Sequence, residues 1–407
     1  MCYTQNRFKA LLSACVMSLI ATASWSQSLT WLGTLGGNQS YAYAVSAGGA
    51  VVVGRAVNAD WQWRAFRWTA SGGMQDLGTL GGDWSEAYGV SADGSVVVGW
   101  AWKAAGGYRA FRWTASGGMR NLGTLGGDWS WAWGVSADGA VVVGEARNVL
   151  GYYRAFRWAA SDGMEDLGTL GGISSEAWGV SADGAVVVGW ANIAGWYVRA
   201  FRWTAAGGMQ NLGTLPGGDY SAAYGVSADG AVVVGEAENA AGGHRAFRWT
   251  ASGGMQDLGH LGGLTSWAYG VSADGSVVVG RADINAGNYR AFRWTASGGM
   301  ENLNTTYASL LTNGSWLGEA RAISPDGRYI VGWGYNAATN REEAFLLDTG
   351  FPRRGDVDRN GCVDDADLLR LLFEFGGRGY RNEDLNWDGT VDDADLLEVL
   401  FNFGSGC

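Results

Sequence analysis

Lysine is nearly missing from this 407-residue sequence: Lys9 and Lys103 are the only two among 28 basic residues. Histidine is as scarce, at His244 and His260, so His-rich zinc sites and most Ser/His/Asp or Cys/His machinery lack their parts. No basic block offsets the net charge of −11, which argues against a nucleic-acid partner. No Gly-x-x-x-x-Gly-Lys-Ser/Thr phosphate loop is present, and no Gly-x-Gly-x-x-Gly lies between a strand and a helix. There are 3 prolines and 4 cysteines, and the one long apolar run, residues 10–23, is too short to span a bilayer. What is abundant is glycine, at 68 residues, and tryptophan, at 23. A hydrophobic content of 47% is enough for real cores, and the length allows two or three domains.

The first 26 residues read as a secretory signal: Arg7 and Lys9 precede the apolar run, and Ala21-Thr22-Ala23 is a small-x-small cleavage site. The mature chain then begins near Ser24 or Gln27, and the protein is expected outside the cell or on its surface. Leu12-Ser13-Ala14-Cys15 is similar to a lipoprotein box, but too little apolar sequence precedes Cys15 for an anchor. Removing the signal removes Cys2 and Cys15. Cys362 and Cys407 remain, an even pair in an exported protein, and are expected to form a disulfide.

The body is an internal repeat. Leu-Gly-Thr-Leu-Gly-Gly starts at Leu32, Leu77, Leu122 and Leu167, recurs with changes at Leu212 and Leu258, and fades at Leu303, in steps of 45 or 46 residues. Each unit holds four β-type runs; in the second they are 86–91, 95–101, 108–114 and 119–125. Asp93-Gly94 joins the first two as a hairpin, and Asp-Gly recurs at Asp138, Asp183, Asp229, Asp274 and Asp326. Four strands per unit fit a blade of a β-propeller. Seven first–second hairpins and seven third strands are followed by only six fourth strands, and a lone copy of the fourth stands at residues 30–35. A ring needs one blade shared between the chain ends, whereas an open solenoid needs caps. The expected fold is an all-β seven-bladed β-propeller over residues 29–350, closed by its N-terminal strand. Phe111, Trp113 and their copies are expected between blades, because every unit repeats them.

The succession Arg-Ala-Phe-Arg-Trp, Gly-Gly-Met, Leu-Gly-Thr-Leu-Gly-Gly, Val-Ser-Ala-Asp-Gly, Val-Val-Val-Gly resembles the HAF-type extracellular repeat proteins over most of the chain. Arginine (Arg64, Arg109, Arg154, Arg199, Arg245, Arg290) stands where that family's histidine would be. The family supplies no catalytic residues to carry over.

After a linker at 351–355 the composition changes: residues 355–407 hold 13 acidic and 4 basic residues. Two copies of one pattern lie 28 residues apart, with oxygen side chains at loop positions 1, 3, 5, 9 and 12 and glycine at 6. This is the arrangement of a calcium loop, whose hard cation takes six to eight oxygens. The expected ligands of two calcium ions are Asp356, Asp358, Asn360, Cys362 through its carbonyl, Asp364 and Asp367, then Asp384, Asn386, Asp388, Thr390, Asp392 and Asp395. A Leu-Leu-x-x-Leu-Phe-x-Phe helix follows each loop, completing a small all-α module over 356–407. A duplicated loop-helix with aspartate at position twelve resembles the type I dockerin, which implies calcium-dependent attachment to a cohesin-like or cell-surface protein. Leu372-Phe373 and Leu400-Phe401 replace the basic pair often found along that helix.

The connections between second and third strands, and between fourth and first, vary freely and are aromatic-rich, whereas the other turns barely change. These varied loops emerge on one side of a four-stranded ring. Trp61, Trp84, Trp102, Trp129, Tyr152, Trp196 and Tyr220 are the candidate ligand face, suited to stacking on a glycan. The expected function is a secreted, non-catalytic binding or scaffold protein. The alternatives are an extracellular glycoside hydrolase carrying a dockerin, which needs two carboxylates about 5–10 Å apart, and a purely structural repeat protein. Asp83, Glu86, Asp128, Glu145, Glu176 and Asp219 are the carboxylates near that face, and no pair stands apart from the repeat.

Overall fold

The computed structural model describes residues 27–285 and 287–407; the expected signal segment lies outside them. Each repeat folds as four antiparallel strands that neighbour one another in chain order. In the second unit these are Gly81–Val90, Val96–Lys103, Tyr108–Thr114 and Gly118–Asn121. Among the described residues, five sheets have four strands, and a sixth has eight. The large one is two such sets joined by a single parallel bridge, Gln39 to Glu342. The lone strand Ser28–Trp31 pairs antiparallel with Arg341–Asp348, placing Trp31 opposite Phe345. The first strand among the described residues thus completes the last sheet, and the molecule is a β-propeller.

The repeated residues each have a packing reason. Val96–Val98 are buried on both sides of the sheet, and Phe111 and its equivalents are fully buried. Phe111 and Trp113 pack on Val51 and Val53 of the preceding sheet. The glycine ending Val-Val-Val-Gly is forced by proximity: a Cβ on Gly99 would lie 1.9 Å from the Glu86 carbonyl oxygen. Between sheets, the Arg112 Nε–H donates to the Gly139 carbonyl at 3.1 Å, and Arg67, Arg157, Arg202 and Arg248 repeat the bond. Ser85, fully buried, donates to the Gly78 carbonyl at 2.6 Å and accepts from the Ala65 N–H of the preceding sheet at 2.9 Å. Ser40, Ser130, Ser175, Ser221 and Ser266 make the same latch.

Two strand limits differ from the sequence expectation. The inner strand begins at Gly81 rather than 86, so Asp83 and Trp84 lie within its outer end and not in a loop. A glycine pair makes this extension, because a Cβ on Gly82 would meet Trp102 at 2.3 Å. The fourth strand stops at Asn121, where Gly123 at φ +86° turns the chain toward the next sheet. The fading motif at Leu303 lacks that glycine and forms a short helix, α1 (Leu303–Thr306), capped by Asn302.

The Ser-Ala-Asp-Gly turns line one end of the central channel. Their alanines join head to tail: Ala47 N–H donates to Ala92 O, and so on through Ala137, Ala182, Ala228 and Ala273 to Pro325 O. Pro325 has no N–H to continue the circle. Against this end packs the C-terminal module, whose helices α2 (Asp365–Phe373) and α3 (Asp393–Asn402) enclose Val357, Val363, Leu371, Val391 and Val399. Cys362 and Cys407 form the expected disulfide.

Candidate functional site

The residues expected in the two varied connections share one end of the propeller: Trp84 and Trp102, both at the ends of paired strands and not in loops, meet at 6.1 Å between ring centres. Four of the seven expected face residues are exposed there: Trp61, Trp84, Tyr152 and Trp196. Trp61 and Trp196 are 71% and 74% exposed, and both hold a left-handed backbone, φ 62° and 74°. Trp102, Trp129 and Tyr220 are half-buried. The first two pack on Tyr108, and Tyr220 lies against His244.

Sequence reasoning missed the second aromatic set. Each inner strand sends one residue toward the axis: Tyr43, Tyr88, Trp133, Trp178, Tyr224, Tyr269 and Arg321, all half-buried. Tyr43 stacks on Tyr88 at 4.6 Å and Trp133 on Trp178 at 4.8 Å, while Tyr88–Trp133 and Trp178–Tyr224 meet edge to face. The Arg321 guanidinium closes the belt, 4.3 Å from the Tyr269 ring centre and 5.8 Å from that of Tyr43. This belt walls an axial cavity of about 560 Å³. The signal for it was present, as an aromatic residue at one fixed place in six units.

Trp387 of the C-terminal module closes the cavity at its alanine end. It is 5% exposed, touches Ala47, Ala92 and Ala273, and stacks on Tyr380. Trp387 is the fourth residue of its loop. Arg359 is the fourth residue of the other and pairs with Asp274 of a propeller turn. Both have positive φ, so each loop turns its fourth side chain toward the ring.

Of the carboxylates expected near the varied face, Glu176 is buried and Glu145 half-buried, close enough for their charges to interact. Burial and then the Glu176 charge raise the pKa of Glu145; burial raises that of Glu176, against the indole N–H groups of Trp190, Trp133 and Trp178. Glu86 is paired with Arg55 and Tyr88, and Asp128 with Arg147 on the surface. Because the two raised pKa values favour the protonated folded state, their contribution to stability is complete below the ordinary glutamate value. It is lost as pH rises through the folded values. The propeller is therefore expected to melt several degrees lower at about pH 8.5 than at about pH 5.5, and Glu145→Gln to flatten that slope in differential scanning calorimetry. Equal slopes in both proteins would show that Glu145 does not contribute to this pH dependence.

The acidic loops bring together the residues expected to hold metal. Carboxylate oxygens of Asp356, Asp358 and Asp367 lie within 4.8 Å of one another. Asp356 Oδ1 is buried with no hydrogen-bond partner, as a donor awaiting a cation would be. Burial raises the pKa of Asp356, with Asp367 and Asp358 adding to it. Burial raises Asp384 to about 7, and Asp395 and Asp388 contribute. Backbone N–H groups orient the rest: Gly361 and Gly389 donate to Asp356 and Asp384, and Asp358 and Asn386 to Asp367 and Asp395. Asp364 and Asp392 cap α2 and α3. Asn360 accepts from the Cys362 N–H, and Asp388 from the Thr390 N–H, turning each loop at its centre. An all-oxygen set with one orphaned carboxylate oxygen fits a hard divalent cation.

These features define a β-propeller with a two-helix acidic module docked on its axis. No protein-family model matches the chain, and no curated protein does. Among solved structures it is similar to TolB from Acinetobacter baumannii, at 11% identity over 83% of this chain and 68% of that one, TM-score 0.43. It is also similar to hydrazine synthase from Kuenenia stuttgartiensis, at 11% identity over 77% and 96%, TM-score 0.43. A third is oligogalacturonate lyase from Vibrio parahaemolyticus, at 9% identity over 80% and 94%, TM-score 0.49. No helix among the described residues is long and apolar enough to cross a membrane.

Proposed function

We propose that this is a secreted, non-catalytic binding protein. Its HAF-type propeller presents a glycan-binding end, and its dockerin-like module holds two calcium ions and attaches to a cohesin-like or cell-surface protein. Counting the eight-stranded sheet as two blades gives a seven-bladed ring. The observation that carries the binding role is Trp61 and Trp196. Two indoles stand almost free in solvent, in a backbone conformation that large side chains rarely adopt, at the end facing away from the docked module. Such rings are suited to stacking on sugar faces. The module carries its own apolar surface, with Phe373 and Phe401 83% and 82% exposed at equivalent places on α2 and α3. A patch of that kind points to a protein partner.

A glycan array on the full chain tests the first part. Trp61→Ala with Trp196→Ala is expected to lower glycan binding at least tenfold and to leave the melting temperature within about 1 °C, as for exposed sites. Calcium-dependent retention on a cohesin panel tests the second part. A glycan-silent array, or binding indifferent to both substitutions, would overturn the rim assignment. The hydrolase alternative has one observation in its favour, the Glu145–Glu176 pair. Among the described residues, neither lines the axial cavity.

A further inference from the structure

The axial belt has one odd member. Six of its places carry aromatic rings, and the seventh carries Arg321. Arg321 pairs with Glu319 at 2.6 Å, but Arg281, which also lines the cavity, pairs with the same carboxylate, and Glu319 is 2% exposed. Two guanidinium groups therefore share one carboxylate. The acids of the other inner sheets are engaged elsewhere: Glu86 with Arg55, Glu236 with His244 and Tyr224, Glu176 with Trp190. On this side of the cavity two positive charges therefore face one negative charge. The Nε–H groups of Arg321 and Arg281 are buried with no acceptor in hydrogen-bonding geometry. A half-buried cation that shares its one counter-charge with a second cation gains when a further anion meets it, and the planar fork of arginine matches a carboxylate. The flanking rings, apolar in body and polar at the tip, suit a ligand with both characters.

We infer that the axial cavity binds an acidic saccharide, a sugar bearing a uronic-acid carboxylate that pairs with Arg321 while its ring lies against the aromatic belt. The volume of about 560 Å³ is that of a small-molecule site. Trp387 closes the alanine end, so the ligand enters from the end that carries the varied connections. This inference rests on the reading that the propeller binds glycans and adds where the acidic unit sits.

The test is titration calorimetry of the full calcium-loaded chain with a glucuronate-containing disaccharide, its neutral glucose counterpart, and benzoate. The acidic disaccharide is expected to bind at least tenfold more tightly than either of the others. Arg321→Tyr places in the belt the residue found at 43, 88, 224 and 269 and leaves Glu319 paired with Arg281 alone; it should erase the preference for the acid. Arg321→Lys keeps the charge and the ion pair but not the fork, so it reports on the site even if the tyrosine variant fails to fold; it should weaken acidic binding several-fold. Equal affinity for acidic and neutral sugars, no binding of the acidic one, preference for benzoate, or a preference unchanged in the lysine variant would overturn the inference. Neutral-glycan binding that is lost with Trp61 and Trp196 but indifferent to Arg321 would leave the rim reading standing and remove only this one.

Discussion

Deleting residues 28–35 is expected to lower the melting temperature of the propeller by about 10 °C or more. Among the described residues, the outer edge of Arg341–Asp348 pairs with Ser28–Trp31 over residues 345–348 and otherwise has only the single bridge from Glu342 to Gln39, so without that strand most of the edge is open to solvent. Trp31 also packs edge to face on Phe345, at 6.3 Å, and Leu32 is buried with its N–H donated to Ala344 O at 2.9 Å. The deletion removes Gly33 as well, whose carbonyl accepts from Ser40, the latch residue that in turn accepts from the Ala344 N–H. Each apolar side chain that loses burial is worth about 1.5–3 kcal/mol, and a domain of this size shifts by about 2–4 °C per kcal/mol. The measurement is calorimetry of the protein with and without the segment. A truncated protein that melts with the full-length one would show that the last sheet is secure without its fourth strand.

That closure was legible because strand counts are local arithmetic: six fourth strands against seven third strands, with a spare copy at the front. The Asp-Gly hairpins were legible for the same reason, since Gly94 at φ +73° and the Asp93 carboxylate accepting from Ser95 lie within a few residues of one another. What escaped sequence reading depends on neighbours far along the chain. The serine latch spans 20 residues from Ala65 to Ser85 and joins two sheets. The early start of the inner strand depends on Gly82 passing close over Trp102. Arg321 looked like one of many arginines until the ring set it beside six aromatics and let it share Glu319 with Arg281. Trp387 was visible only as the fourth residue of an acidic loop. Nothing local says that this loop docks on the alanine end of the channel, because the docking is fixed by the ring of Ala47, Ala92 and Ala273.

Removing divalent cations is expected to unfold residues 355–407 while leaving the propeller intact, and the reasons lie in the charges of the two loops. A module of this size has a small core, here Val357, Val363, Leu371, Val391 and Val399, and small cores need metals or cross-links. The disulfide closes 45 residues and contributes on the order of 4 kcal/mol by restricting the unfolded chain. Against it stand carboxylates held close together: Asp356 and Asp384 have raised pKa values because burial and neighbouring acids disfavour their charged forms. Raised carboxyl pKa values mean that the metal-free module is most stable in acid and loses stability as pH rises through the folded values, about 7 for Asp384. Chelation should therefore do least near pH 5 and most near pH 8, where the module depends on calcium to offset the repulsion. Hydrogen-exchange mass spectrometry with chelator at about pH 8 should show protection lost across α2 and α3, retained in Val96–Lys103 and its equivalents, and reduced at the turns under Trp387. Calorimetric titration should count two calcium ions per chain, and none after Asp356→Ala is combined with Asp384→Ala. Full protection of α2 and α3 in chelator at that pH, or calcium binding that survives both substitutions, would show that the two loops are acidic caps on the propeller and not metal sites.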